Sequence, residues 1–173
     1  MPKHKKAIIG FLFSIVFILH GCGIYSFSGG SIPEGMKTYT VLYIENLAPM
    51  VYPTLSQDLT EGLKERIRTQ SKLSQVNSDG DAIFEGTITG YNIAPASVAA
   101  GGQDRAQNSR LSITVKIKYT NKLDPTGESS FEESFTQFRE FAGSDVTSQE
   151  ANLNKEIIKM LTEDIFNKAF ANW

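Results

Sequence analysis

The chain has 173 residues with a single cysteine, two histidines and a formal charge of −2. This length predicts one domain, and the pI of about 5.7 argues against a broadly basic nucleic-acid binder. One cysteine excludes an intrachain disulfide framework and any multi-cysteine zinc site, so the positions of the cysteine and the histidines become the informative feature.

A short leader precedes the cysteine. Residues 1–6 contain three lysines, and residues 7–19 (AIIGFLFSIVFIL) then carry no charge. These thirteen residues are fewer than the roughly 20 that span a bilayer as a helix, but they fit the hydrophobic region of a signal peptide. We therefore predict that residues 1–21 are a signal peptide.

The residues that end this leader, Leu19-His20-Gly21-Cys22, resemble the bacterial lipobox, with Leu19 at position −3 and Gly21 at −1. In lipoproteins with that motif, the cysteine sulfur carries diacylglycerol, cleavage occurs before the cysteine, and the new amino group carries an acyl chain such as palmitate. The resemblance implies that Cys22 is the lipid attachment site, and two or more buried chains give stable anchoring. An ordinary secretory signal, or a membrane anchor that ends in a cysteine, is the alternative.

Removal of residues 1–21 changes the chemistry that the chain offers. The remaining 152 residues contain no histidine, and 14 basic against 19 acidic side chains give a formal charge of −5. Sites that need histidine or a free cysteine are then excluded, so we predict no catalytic residue, no metal and no cofactor beyond the lipid. Adjacent Glu132 and Glu133 point to opposite faces if they lie on a strand, and residues 79–81 are predicted to form a turn.

Two elements are predicted before residue 77. Residues 37–45 (KTYTVLYIE) are rich in β-branched and aromatic residues and indicate a first strand. Residues 54–57 (TLSQ) have the capping-box pattern that starts a helix. An apolar stripe with helical spacing follows, and it consists of Leu55, Leu59, Leu63 and Ile67.

Two strands are predicted after the turn. Residues 82–93 indicate a strand in which Gly86 and Gly90 share one face, which suggests close approach by a packed helix, or a bulge. Residues 110–120 alternate strictly between apolar and polar side chains. The apolar side chains of this second strand are Leu111, Ile113, Val115, Ile117 and Tyr119.

A third strand and a second helix complete the chain. Residues 129–141 are predicted to be a strand with Phe131, Phe135 and Phe141 on its inner face. Residues 147–150 (TSQE) have a second capping-box pattern. The helix after it is predicted from the apolar residues Leu153, Ile157, Leu161, Ile165 and Phe166.

This element order predicts an α+β fold. The expected architecture is a two-layer sandwich in which two amphipathic helices pack on one face of a small mixed sheet of about four strands. Residues 22–36 are predicted to be a lipid-anchored tether, and residues 37–173 are predicted to form one domain.

Three segments resemble a known family. Residues 22–29 (CGIYSFSG) after the lipobox resemble the mature start of the LptE family of LPS-assembly lipoproteins. Residues 86–91 (GTITGY) resemble its second main strand, and residues 110–115 (RLSITV) resemble its third. The resemblance covers most of residues 22–173 and includes the element order.

The resemblance implies a function. Family members are lipid-anchored on the periplasmic side of the outer membrane, insert into the lumen of the β-barrel LptD and help it to assemble. They also bind lipopolysaccharide and assist its delivery to the outer leaflet. The implied partners are therefore an LptD-like barrel, lipopolysaccharide and the membrane, with no nucleic acid.

Candidate contact residues come from the charge distribution. Five basic residues lie between positions 105 and 122, although the chain as a whole is acidic. Phosphates and acidic sugars require arginine or lysine donors, so we predict that Arg110, Lys116 and Lys118 contact lipopolysaccharide or the barrel wall. The alternative is that they are ordinary solvated residues on the outer face of a sheet.

Two other functions stay open at this point. The chain could be a different non-enzymatic periplasmic lipoprotein, which binds a cell-wall enzyme or captures a ligand. It could also be a lipid-anchored hydrolase that acts through carboxylates alone, for which a buried carboxylate pair in a concave pocket would be the signature.

Overall fold

Eight elements follow one another in the computed structural model, which describes residues 32–50, 52–96, 108–143 and 145–171. In chain order they are β1 (Thr38–Val41), β2 (Glu45–Asn46), α1 (Leu55–Gln70), β3 (Ser74–Gln75), β4 (Ala82–Pro95), β5 (Asn108–Asn121), β6 (Phe131–Ala142) and α2 (Glu150–Phe170). This order confirms the predicted sequence of strand, helix, three longer strands and helix. Neither helix of these ranges has the length and the hydropathy that a membrane-spanning helix requires.

The sheet is mixed. Strands β1 and β2 lie one after the other along β4 and pair with it in parallel, and β3 pairs with β1 in parallel. Strands β4, β5 and β6 form an antiparallel meander. The α+β class and the mixed sheet are therefore confirmed.

The sheet has six strands, and the prediction of about four was wrong. The two additional strands are β2 and β3, each two residues long. A two-residue strand shows no alternation of apolar and polar side chains, so sequence periodicity cannot reveal it. Only the backbone pairing with β1 and β4 defines these strands.

The predicted first strand is interrupted. Val41 pairs with Phe84 and Glu45 pairs with Thr87, so four steps along the first segment match three steps along β4. The extra residue works as a bulge, which breaks the ladder at residues 42–44 and leaves Tyr43 63% exposed.

Both helices cover the same face of the sheet. The predicted stripe of α1 and the five predicted apolar positions of α2 are all buried. They pack against the inward side chains of β4 and β5, and all five apolar residues predicted for β5 are at most 1% exposed. Phe141 is buried, and Phe131 and Phe135 are partly buried against this core. These observations confirm the two-layer arrangement.

Helix α1 begins after Thr54 as predicted, but neither capping box forms its side-chain hydrogen bond to the helix amides. Thr54 has αR backbone angles (φ −97°, ψ −2°), and its hydroxyl donates to the Asp58 carboxylate at 2.7 Å instead of accepting from a backbone N–H. An N-cap side chain reaches the helix amides from an extended backbone, which Thr54 lacks. Helix α2 begins at Glu150, which was predicted to be the last residue of the second capping box. The Glu150 carboxylate instead accepts a hydrogen bond from the Tyr91 hydroxyl at 2.6 Å.

The two glycines of β4 have different roles. A Cβ at Gly86 would lie 2.6 Å from Ile117 Cδ1, so glycine permits close packing on the core face. The register between β4 and β5 shifts between Ile88 and Gly90, so Thr89 is the extra residue of a bulge. After the bulge, odd-numbered residues of β4 face the core in place of even-numbered ones. Tyr91 is therefore buried, and Gly90 lies on the opposite face of the sheet. The shared face predicted for the two glycines was therefore wrong.

The predicted turn at residues 79–81 holds the start of β1. One oxygen of the Asp81 carboxylate accepts from the Lys37 amide, the Thr38 amide and the Thr38 hydroxyl, each at 2.9 Å. These hydrogen bonds stabilise the ionised carboxylate and lower the pKa of Asp81 below its usual value. The bond from the Lys37 amide has the largest effect.

This lowered pKa predicts a pH dependence. The ionised Asp81 stabilises the folded chain above its unfolded pKa of about 3.9, and this contribution is lost as the pH falls through the lower folded value. We expect Asp81→Asn to reduce the free energy of unfolding at pH 7, with a difference from the parent chain that shrinks below about pH 4. Urea unfolding between pH 3 and pH 7 measures this difference. Asp79→Asn, in the same turn, is the control, and a constant Asp81→Asn effect across the range would contradict the prediction.

Candidate functional site

The candidate site is the face of β4, β5 and β6 that points away from the helices, which we call the outer face. Within the described ranges no other element packs over it. The cross-strand pairing places on it the polar and charged residues Glu85, Thr87, Asn92, Arg110, Ser112, Thr114, Lys116, Lys118, Thr120, Glu132, Ser134, Thr136 and Glu140, together with Phe138.

All three predicted contact residues lie on the outer face. Lys116 and Lys118 are two positions apart on β5, so their Cα atoms are about 7 Å from each other. Arg110 is six positions from Lys116, which corresponds to about 20 Å. The structure thus brings the two lysines together and leaves Arg110 at the other end of the strand.

The two lysines belong to a row of alternating charges across three strands. Lys118 Nζ lies 2.7 Å from a carboxylate oxygen of Glu85 on β4, and Lys116 Nζ lies 2.5 Å from one of Glu132 on β6. The hydrogen bond from Lys116 lowers the pKa of Glu132, and the bond to Glu85 raises the pKa of Lys118. Each lysine is therefore neutralised by a neighbouring strand.

Arg110 forms a separate group with two residues of β6. Its Nη2 atom lies 2.6 Å from the Glu140 carboxylate, and its guanidinium carbon lies 4.1 Å from the centre of the Phe138 ring. Phe138 is 43% exposed. The pair of a planar cation and an exposed aromatic ring provides a flat contact surface that is both charged and apolar.

A band of hydroxyl groups separates the two charged groups. Thr114 and Thr136 lie on neighbouring strands with their hydroxyl oxygens 2.9 Å apart, and Thr87, Ser112 and Ser134 surround them. With three basic and three acidic side chains on β4 to β6, the outer face has no net charge. A neutral surface rich in donors and acceptors suits hydrogen bonding to another polar surface.

The adjacent carboxylates of Glu132 and Glu133 have different partners. Glu132 pairs with Lys116 on the outer face, whereas Glu133 points the other way and lies 2.9 Å from Lys168 of α2. This confirms that the two neighbours point to opposite faces. In the described part of the chain no group of three or more histidine, cysteine, aspartate or glutamate residues could hold a metal ion.

Among the residues of the outer face that were not predicted as site residues, Glu85, Glu140 and Phe138 contact the basic side chains. Their signal is the register of the strands, because Lys118 lies opposite Glu85 and Arg110 lies opposite Glu140. Alternation places a residue on a face but does not identify its cross-strand neighbour. The predicted lipid site Cys22 and the lipobox residues Leu19 and Gly21 lie outside the described residues.

Comparison with solved structures shows the same fold in two bacterial proteins and finds further similar chains. A hypothetical protein from Chlamydia trachomatis has 8% sequence identity, and the match covers 79% of this chain and 99% of that chain with a TM-score of 0.54. A protein from Xanthomonas campestris has 11% identity, with 83% and 88% covered and a TM-score of 0.54. A minor lipoprotein from Acinetobacter baumannii has 14% identity, with 77% and 91% covered and a TM-score of 0.49.

Sequence comparison identifies the family. No curated protein matches the chain in sequence. The family model for LptE, described as lipopolysaccharide-assembly, matches residues 36–169. That range contains all six strands and α1, and it ends one residue before the end of α2. The chain therefore belongs to the LptE family of lipopolysaccharide-assembly proteins.

Proposed function

We propose that this chain is an outer-membrane lipoprotein, anchored through Cys22 on the periplasmic side, that assists the assembly of an LptD-like β-barrel and the transport of lipopolysaccharide into the outer membrane. The observation that carries the proposal is the family match over residues 36–169. The proposed role is binding and assembly without catalysis.

The outer face supports a contact with a polar barrel wall. The interior wall of such a barrel is polar, and the outer face offers hydroxyl groups and balanced charges that can form hydrogen bonds with it. A surface of balanced charge also avoids repulsion from a wall that carries both signs. The inner face cannot serve this purpose, because the helices already cover it.

The two charged groups of the outer face are the proposed contacts for lipopolysaccharide. Lys116 and Lys118 could both reach one phosphate group, whereas Arg110 is too distant to join them. Their present carboxylate partners are exposed, and exposed ion pairs contribute little to stability because water screens them. A phosphate with about two negative charges can therefore displace a glutamate, which makes the neutralised lysines compatible with anion binding.

The first experiment tests the proposed partner and the anchor. We expect the full-length protein, extracted from membranes in mild detergent, to co-purify in a stoichiometric complex with an outer-membrane barrel. Intact-mass analysis should show a chain that starts at Cys22 and carries three acyl chains. A lipid-modified chain that binds a periplasmic enzyme and no barrel would instead support the alternative lipoprotein function. An unmodified Cys22 would overturn the proposed anchor.

The second experiment tests the lysine pair. We expect Lys116→Glu combined with Lys118→Glu to lower lipopolysaccharide binding by about tenfold or more, because two attractive contacts become repulsive. The matched control is Lys168→Glu, which reverses an equally exposed lysine, also paired with a glutamate, on α2. Binding is measured with purified lipopolysaccharide, and urea unfolding verifies that both variants fold. Full affinity in the double variant would refute the ligand role of this pair.

A further inference from the structure

A second exposed surface lies at the edge of the sheet, beside β2. Strand β1 has β4 on one side and β3 on the other, but within the described ranges no strand pairs with the free side of β2. The sheet therefore has one strand fewer beside β2 than beside β1. The open position next to β2 is the place that a longer β3 would occupy.

Large apolar side chains are concentrated at this step. Leu42, Tyr43, Leu47 and Met50 are 42%, 63%, 69% and 47% exposed, and we call these four residues the edge patch. They are four of the six exposed large apolar residues in the described part of the chain. Such clusters on a folded surface mark interaction sites, whereas single exposed apolar residues are ordinary.

The edge patch also lacks the charges that protect sheet edges. Glu45 is the single charged residue between positions 38 and 57. The opposite edge strand, β6, carries four charged residues within its twelve positions. Charged side chains are a usual protection against unwanted pairing of edge strands, and the segment around β2 carries one such charge, on Glu45.

Backbone groups at this edge are only partly occupied. The Leu47 amide donates to the Ile88 carbonyl of β4 at 2.9 Å. Because neighbouring residues of a strand present their amides to opposite sides, the amide and carbonyl of Asn46 point to the open position. The Ile44 amide already donates to the Thr60 hydroxyl at 3.0 Å. An added segment would thus gain few backbone hydrogen bonds, and its apolar contacts with the edge patch would dominate.

From these observations we propose that the edge patch binds an extended segment of a partner protein. Apolar side chains of that segment pack on Leu47 and Tyr43, and one of its lysine or arginine side chains faces Glu45. A second copy of this chain fits less well, because residues 38–57 contain no basic residue to meet Glu45. An anionic membrane surface fits less well for the same reason. The further statement that this partner protein is the outer-membrane barrel rests on the proposed function.

Hydrogen exchange provides the test. The full-length chain is extracted from membranes in mild detergent with its bound proteins, and is compared with the same chain purified alone. We expect amides in residues 42–50 to exchange at least tenfold more slowly in the native complex. The loop at residues 122–130, at the other end of the sheet, should be unchanged. Equal exchange of residues 42–50 in both samples would overturn the inference, whichever protein co-purifies.

Matched variants separate the apolar and the charge contributions. We expect Leu47→Lys and Glu45→Lys each to lower the recovered partner about tenfold. Leu123→Lys and Glu128→Lys make the same changes at exposed positions away from the edge patch and should have less than a twofold effect. Self-association that Leu47→Lys abolishes, or protection of residues 42–50 by phosphatidylglycerol vesicles, would assign the patch to another occupant and overturn the proposal. Absence of a barrel with protection retained would contradict the proposed function alone.

Discussion

Replacement of Phe170 by alanine is expected to lower the free energy of unfolding by about 3–5 kcal/mol. The ring is 1% exposed near the end of α2. Its centre lies 6.0 Å from the rings of both Phe84 and Tyr119 and 5.1 Å from that of Phe166. The substitution leaves a cavity where the second helix meets two strands, so it weakens the contact between the two layers.

Urea unfolding, followed by far-UV circular dichroism, measures this loss. Phe138→Ala is the matched control, because Phe138 lies on the outer face and is 43% exposed. We expect this control to lose less than about 1 kcal/mol. Similar losses for the two variants would mean that α2 is not docked through Phe170.

A comparable loss, about 3 kcal/mol, is expected for Gly80→Ala. A Cβ at Gly80 would lie 2.7 Å from the carbonyl carbon of Tyr39 and 2.8 Å from the Thr40 nitrogen. These are backbone atoms of β1, which is held on both sides by paired strands. The strand or the turn must therefore move, and the hydrogen bond from the Gly80 amide to the Thr40 hydroxyl would be strained.

Gly86→Ala is the control that distinguishes backbone contact from side-chain contact. Its Cβ would approach Ile117 Cδ1 at 2.6 Å, the mobile end of a side chain that can change rotamer. We expect a loss of about 1 kcal/mol, measured in the same urea titration. A smaller loss for Gly80→Ala than for Gly86→Ala would contradict the proposed packing of the turn on β1.

The sheet presents two separate exposed surfaces. The same β5 strand buries five apolar side chains against the helices and presents Arg110, Lys116 and Lys118 on its other side. The outer face and the edge patch are therefore two distinct surfaces of one scaffold, and the variants proposed for one leave the other unchanged. This separation lets the lysine experiment and the hydrogen-exchange experiment fail independently.

The amino-acid sequence by itself determined the elements with long periodic patterns. Helix α1 follows from Leu55, Leu59, Leu63 and Ile67, which recur with helical spacing, and β5 follows from strict alternation over eleven residues. These patterns report which side of an element is buried, because burial of one face is what selects apolar residues at that period. The two layers and the shared face of Lys116 and Lys118 followed from the same patterns.

Only the tertiary structure decided the features that depend on neighbours distant in sequence. The strands β2 and β3 exist because β4 and β1 supply partners, and the bulges after Val41 and Ile88 shift the register by one residue. Register also paired Lys118 with Glu85 and Arg110 with Glu140. Local sequence fixes the face of a residue, whereas cross-strand partners depend on loop geometry and on the alignment of whole strands.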